Sequence, residues 1–142
     1  MNRYFDIALN LASDRFSGER DKVIADALIH NVNYFNIVCS SLNELDFVKD
    51  LNDRYRQNSC FTLGVHPHNA NELNGDCLKS LKDSIKMHQP SAVGETGLDF
   101  FRNLSTFENQ LNAFEQQIIL SIENNLPLFL HQREAHDDFI KV

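Results

Sequence analysis

At 142 residues, 42% hydrophobic and 23% charged, with five glycines and three prolines, the chain fits one domain with a real core and argues against global disorder. Its formal charge of −7 argues against a broad basic surface that grips nucleic acid by charge alone, although a metal ion in an acidic pocket can still neutralise phosphates locally. No run of about 18 apolar residues is present. Asp6, Asn10 and Asp14 interrupt the stretch where a secretory signal would be apolar, so the expectation is a cytoplasmic protein with no membrane partner.

The predicted elements alternate in period along the chain. Tyr4 to Leu9 reads as a strand, and Glu19 to His30 as a helix with Val23, Ile24, Ala27 and Leu28 on one apolar stripe. Tyr34 to Cys39 is β-rich. Ser41-Leu42-Asn43-Glu44 has the form of a capping box, and Leu42, Leu45, Val48, Leu51 and Tyr55 continue the helix behind it. Phe61 to Val65 is the third strand, and Leu78, Leu81 and Ile85 mark a weaker third helix. Ala92 to Glu95 is the fourth strand. A second box, Ser105-Thr106-Phe107-Glu108, opens a strong helix through Leu111, Phe114, Ile118, Ile119 and Ile122, which Asn124-Asn125 and Pro127 stop. Leu128 to Leu130 is the fifth strand, and Ala135 to Ile140 starts one more helix.

Such alternation without a linker implies an α/β domain over residues 1–142, with a parallel sheet and right-handed crossovers. An open doubly wound sheet is complete at five strands, whereas a (β/α)8 barrel needs about 250 residues. No Gly-rich nucleotide loop follows any strand, and the chain ends at Lys141-Val142 inside a predicted helix. The expectation is therefore parallel β/α repeats forming the first half of a (β/α)8 barrel. Cys39, Cys60 and Cys77 are odd in number and contain no CxxC pair, so they read as small buried hydrophobes rather than disulfides or zinc ligands.

Three of these strands run into groups able to hold a metal or a phosphate. His66-Pro67-His68 follows the third, Glu95 ends the fourth with Asp99 four residues on, and His131 ends the fifth with Arg133 behind it. Carboxylates and imidazoles at strand ends suit a divalent cation. Each also has a purely structural alternative: a helix cap or a pair with Arg102 for Glu95 and Asp99, a core or rim residue for His131, an ion pair with Glu134 or Asp137 for Arg133, and a rigid solvated turn for the His-Pro-His segment. Asn10, just beyond the first strand, is a poor metal ligand but can hydrogen-bond substrate or bound water. His30, His88 and His136 lie on helices or helix ends and read as solvated or capping. With GxSxG, SxxK, Walker A and GxGxxG all absent, an activated water is the favoured attacker.

The segments GVHPH (Gly64 to His68), GETGLDF (Gly94 to Phe100) and LFLHQREA (Leu128 to Ala135) resemble, in order, the signatures of the TatD family, metal-dependent deoxyribonucleases of the amidohydrolase-like TIM-barrel group. The opening FDIALNLAS (Phe5 to Ser13) resembles the TatD branch of it. The resemblance implies metal-assisted phosphodiester hydrolysis, a 3′ to 5′ exonuclease acting on single-stranded DNA, with Mg2+ as activator and Mn2+ or Zn2+ as alternatives. It implies Glu95 and His131 as metal ligands, with Glu95 catalytic and placed to bridge two ions. His66 and His68 would lie beside the substrate phosphate, and Asn10, Asp99 and Arg133 on the substrate side. Ala8 and Asn10 stand where most members carry an HxH pair. The family's later histidine and late aspartate fall beyond Val142, so the resemblance implies a C-terminally incomplete domain, a poor catalyst alone, whose apolar edge strands favour self-association. An amidohydrolase-like enzyme acting on small amides or esters, or a non-catalytic half-barrel, are the other readings.

Overall fold

The computed structural model describes residues 3–142. Five strands, β1 (Tyr4–Leu9), β2 (Val32–Ile37), β3 (Ser59–Leu63), β4 (Ala92–Asp99) and β5 (Leu128–Arg133), form one sheet in the order β1-β2-β3-β4-β5, and every pairing is parallel. Between them run α1 (Arg20–Ile29), α2 (Leu45–Arg54), α3 (Gly75–His88) and α4 (Phe107–Asn124), and the short α5 (His136–Phe139) follows β5. This order decides between the two architectures. A doubly wound sheet reverses strand order at its switch point, so its helices cover both faces. Unbroken sequential order with right-handed crossovers puts every helix on the same face, and the sheet curls as half of a barrel wall.

The main core lies between that face and the helices. Ile24 of α1, Val48 and Leu51 of α2, Leu81 and Ile85 of α3, and Ala113 and Leu120 of α4 pack on Phe35, Ile37, Phe61, Leu63 and Val93 of the strands. A smaller cluster under the end of β4 joins Leu98, Phe114 and Ala135, with Phe114 and Phe139 stacked at 5.0 Å between centroids.

Several boundaries shift from the sequence expectation. Strand β2 starts at Val32, because Tyr4 needs a partner there, and ends at Ile37, leaving Cys39 buried just beyond it. The first capping box does not form as expected. Glu44 Oε2 accepts from the Ser40 amide at 2.8 Å, the Ser41 side chain caps nothing, and a 3-10 turn over Leu42–Glu44 precedes α2. The second box moves by one residue. Thr106 Oγ1 accepts from the Asn109 amide at 3.2 Å, while the Ser105 hydroxyl donates to the His68 carbonyl at 2.9 Å. Ile119 and Ile122 of the α4 stripe are exposed, and the helix buries Gln110 and Gln117 instead.

Strands β4 and β5 both run further than the apolar triplets suggest. Their pairing extends to Gly97 with His131 and Asp99 with Arg133, with an irregularity between Gly94 and Thr96 that leaves Glu95 out of register. Glu95 and His131 therefore sit within strands rather than after them. Two glycines permit this close approach. Gly94 and Gly97 adopt φ of +140° and +141°, and a Cβ on either would strike the carbonyl oxygen of Phe129 or of His131 respectively.

Candidate metal centre

At the C-terminal end of the strands opens a cavity of about 420 Å³. Asn10, His66, His68, Glu95, Asp99, His131 and Arg133, all the residues singled out in the sequence, line it, joined by Ser13, Ser40, Glu44, Asn69 and Arg102. The three histidine rings stack edge to face, His66 on His68 at 4.2 Å and His66 on His131 at 4.5 Å between centroids.

The hydrogen bonds assign different work to these rings. An amide can only donate, and the His68 amide lies 3.1 Å from His66 Nδ1. In the neutral ring the His66 proton is therefore on Nε2, which faces His131 Nδ1 at 3.3 Å. Burial holds the ring neutral, pushing its pKa down to about 4 despite the opposing pull of Glu95. His66 thus presents an uncharged N–H donor to the cavity.

His131 points its Nε2 at Asp99 Oδ2, 3.1 Å away, and its Nδ1 at Glu95 Oε1, also 3.1 Å away. With the Nε2 proton donated to a carboxylate, Nδ1 is the atom free to ligate, the arrangement found behind many metal-bound histidines. The Glu95 hydrogen bond, ahead of the opposing effect of burial, raises the His131 pKa above its usual value.

His66, Glu95 and His131 each offer a ligand atom within 4.8 Å of the others. Two donors at right angles around an ion with bonds of about 2.1 Å sit about 3 Å apart, and tetrahedral zinc needs slightly more. The Glu95–His131 separation fits both, so the donor set accepts a divalent cation without selecting one. The His66 tautomer makes this ring the weakest of the three as a ligand and the best as a donor.

Asp99 is the hub behind the rings. It is fully buried; Oδ2 accepts from His68 Nε2 at 2.8 Å and from His131, while Oδ1 accepts from the amides of Phe101 at 3.0 Å and Arg102 at 2.8 Å. Burial pushes its pKa up, but the Arg102 amide and then the two imidazoles outweigh this and hold it at about 2. The expected alternative for Asp99, a pair with Arg102, exists only through the backbone amide. Arg133 pairs with neither Glu134 nor Asp137, and instead lays its guanidinium 3.8 Å over the Phe101 ring.

Two residues that the sequence reading passed over hold the strand ends in place. Gln117 accepts from the Val65 amide at 2.8 Å and donates to the Val65 carbonyl at 3.0 Å and to Thr96 Oγ1 at 2.8 Å, fixing the backbone next to His66. Gln110, two turns earlier on α4, accepts from the Asp99 amide at 2.8 Å and donates to its carbonyl at 3.2 Å. Both fully satisfy a buried amide against backbone that has run out of strand partners. The signal was present: two glutamines seven residues apart, on the face that carries Ala113 and Phe114.

The profile of the family described as TatD related DNase matches residues 5–142. This chain belongs to that family. Its TatD-family relatives include proteins named 3′-5′ ssDNA/RNA exonuclease TatD. The one from Erwinia tasmaniensis is 41% identical over 140 residues, covering 97% of this chain and 53% of its own length. The one from Escherichia coli K12 is 37% identical over 137 residues, with 96% and 52% covered. The chain thus spans about half the length of the curated relatives it matches. Among solved structures, a TatD homologue from Escherichia coli K12 superposes with a TM-score of 0.89 at 26% identity, over 98% of this chain and 54% of that one. An uncharacterised amidohydrolase from Saccharomyces cerevisiae superposes with a TM-score of 0.87 at 27% identity, covering 98% and 50%. The grouping of His66, Glu95 and His131 is one that could hold a metal ion.

Proposed function

We propose that the cavity binds single-stranded nucleic acid, DNA in the first instance, and supports metal-dependent hydrolysis of its phosphodiester bonds from the 3′ end, with Mg2+ as the working cation. The Glu95–His131 donor pair at 3.1 Å, with a neutral His66 N–H beside it, carries this reading. Glu95 and His131 would hold the cation. Bound there, a divalent cation polarises a phosphoryl oxygen and lowers the pKa of a water attacker. His66 donates its Nε2 proton in a hydrogen bond to a phosphate oxygen, and Arg133 and Arg102 supply positive charge at the rim. Asp99 acts through the two imidazoles it holds rather than by touching substrate, and Asn10, which lines the same cavity, lies on the substrate side. The names of the relatives, each an exonuclease on single-stranded DNA and RNA, support the same substrate class. We also infer that the open edges β1 and β5 favour self-association.

The test is cation binding by the full chain, read by calorimetry with Mg2+ and Mn2+, alongside nucleotide release from 3′-labelled single-stranded DNA and RNA. A site weakened at least 100-fold by Glu95→Gln, with any nucleotide release falling in parallel, is the expected result. Cation binding that Glu95→Gln leaves unchanged would overturn the assignment. A panel of amide and ester substrates run alongside separates this reading from small-molecule hydrolysis.

A further inference from the structure

The connection from β4 to α4, residues 100–106, carries a feature that the cation site does not need. Phe101 is 54% exposed, yet its backbone is tied to the centre, its amide donating to Asp99 Oδ1 at 3.0 Å. The Arg133 guanidinium covers its ring at 3.8 Å from the centroid. Arg102, the next residue, lines the same cavity. Among the described residues neither arginine makes an ion pair with a carboxylate. The connection itself, Phe100-Phe101-Arg102-Asn103-Leu104-Ser105-Thr106, contains no acid in a chain of net charge −7.

The arrangement is an anchored aromatic ring left more than half in water, backed by one guanidinium without an ion pair and followed by another. It matches what single-stranded nucleic acid requires: an aromatic face for a base and positive charge for the phosphates on either side. A duplex offers its bases only after unstacking, so the same surface favours single strands.

We propose that Phe101, backed by Arg133, is the stacking platform for the base next to the scissile phosphate, with Arg102 and Arg133 on the flanking phosphates. This rests on the nucleic-acid reading of the site. Stacking on the ring lengthens an existing stack, because the guanidinium already lies on one face and polarises the ring.

Two nuclease-resistant phosphorothioate hexamers, one of thymidylate and one abasic, equal in length and charge, separate the contributions. Binding of each to the full chain is followed by fluorescence anisotropy. Wild type should prefer the thymidylate hexamer about 5-fold or more, as one stacked base provides. Phe101→Leu should abolish the preference while leaving abasic binding unchanged, and Phe101→Trp should keep it; circular dichroism reports whether each variant is folded. A preference that survives Phe101→Leu overturns the platform. So does an equal loss for both hexamers, which would mean that the ring only positions Arg133. Wild type binding both hexamers equally sinks the platform and leaves the nuclease reading standing, whereas binding neither sinks both.

Discussion

At the scale of single residues, the proposed roles separate groups that would touch ligand from groups that would aim them. Asp99 has both oxygens engaged, two amides on one and two imidazoles on the other. Asp99→Asn keeps an acceptor for the amides but offers an NH2 group where two ring N–H donors must dock. Divalent-cation affinity should drop about 10- to 100-fold, the usual cost of losing such a partner, with the fold retained. Titration calorimetry against Mn2+ checks this, and an unchanged affinity would show that His131 needs no partner. Cys39 gives a second prediction. Burial, then the nearby Glu44 carboxylate, pushes its thiol up to about 12 from an unfolded value of 9.0. Below pH 9 both states keep the proton, and burying the thiol contributes in full. Above it the unfolded chain ionises while the fold does not, so stability falls up to about pH 12, by as much as roughly 1.4 kcal/mol per pH unit. Chemical denaturation from pH 8 to 11 should show a steeper decline for wild type than for Cys39→Ala. Parallel profiles would mean the thiol titrates normally in the folded chain.

At the scale of elements, α4 does more than cover the sheet. It supplies hydrogen-bond partners where β3 and β4 stop pairing, through Gln117 at Val65 and Gln110 at Asp99. Gln117→Leu fills the space but leaves the buried amide and carbonyl of Val65 unpaired, at about 1–3 kcal/mol for each group. We expect a loss of about 3 kcal/mol by urea denaturation, together with weaker cation binding, because His66 follows directly. A loss under about 1 kcal/mol would mean that water replaces the amide. The helix was legible in its Leu, Phe and Ile spacing, but its buried face was not. Apolar periodicity locates an amphipathic stripe, and here the stripe and the contact face differ because backbone at a strand end needs amide partners. The capping boxes show the same limit. Ser105 has the right type for a cap but is drawn to the His68 carbonyl, a contact 37 residues away in sequence.

At the scale of the molecule, the sheet keeps two open edges. Phe5 and Ile7 on β1 and Leu130 on β5 stand 51%, 60% and 48% exposed, on strands with a neighbour on one side only. Unpaired parallel edges carrying apolar side chains are templates for further pairing. Sedimentation should show concentration-dependent self-association at about 100 µM, reduced by Ile7→Lys, an edge charge of the kind that natural sheets use against pairing. A wild-type chain that stays monomeric there would show that the edges are not adhesive. Among the described residues no helix is long and apolar enough to cross a membrane.

The sequence by itself determined the order of strands and helices, the parallel pairing and seven of the residues that line the cavity. Those follow from local periodicity and from which side chains carry lone pairs or charge, and three ordered motifs hold all of the seven but Asn10. Only the tertiary structure decided how the residues divide the work. Which nitrogen of His66 keeps its proton depends on the His68 amide, and which nitrogen of His131 is free depends on Asp99. Whether Arg133 meets an acid or the Phe101 ring depends on the register of β5 against β4. Proton placement and close approach are properties of distances between segments far apart in the chain, and spacing along it does not encode them.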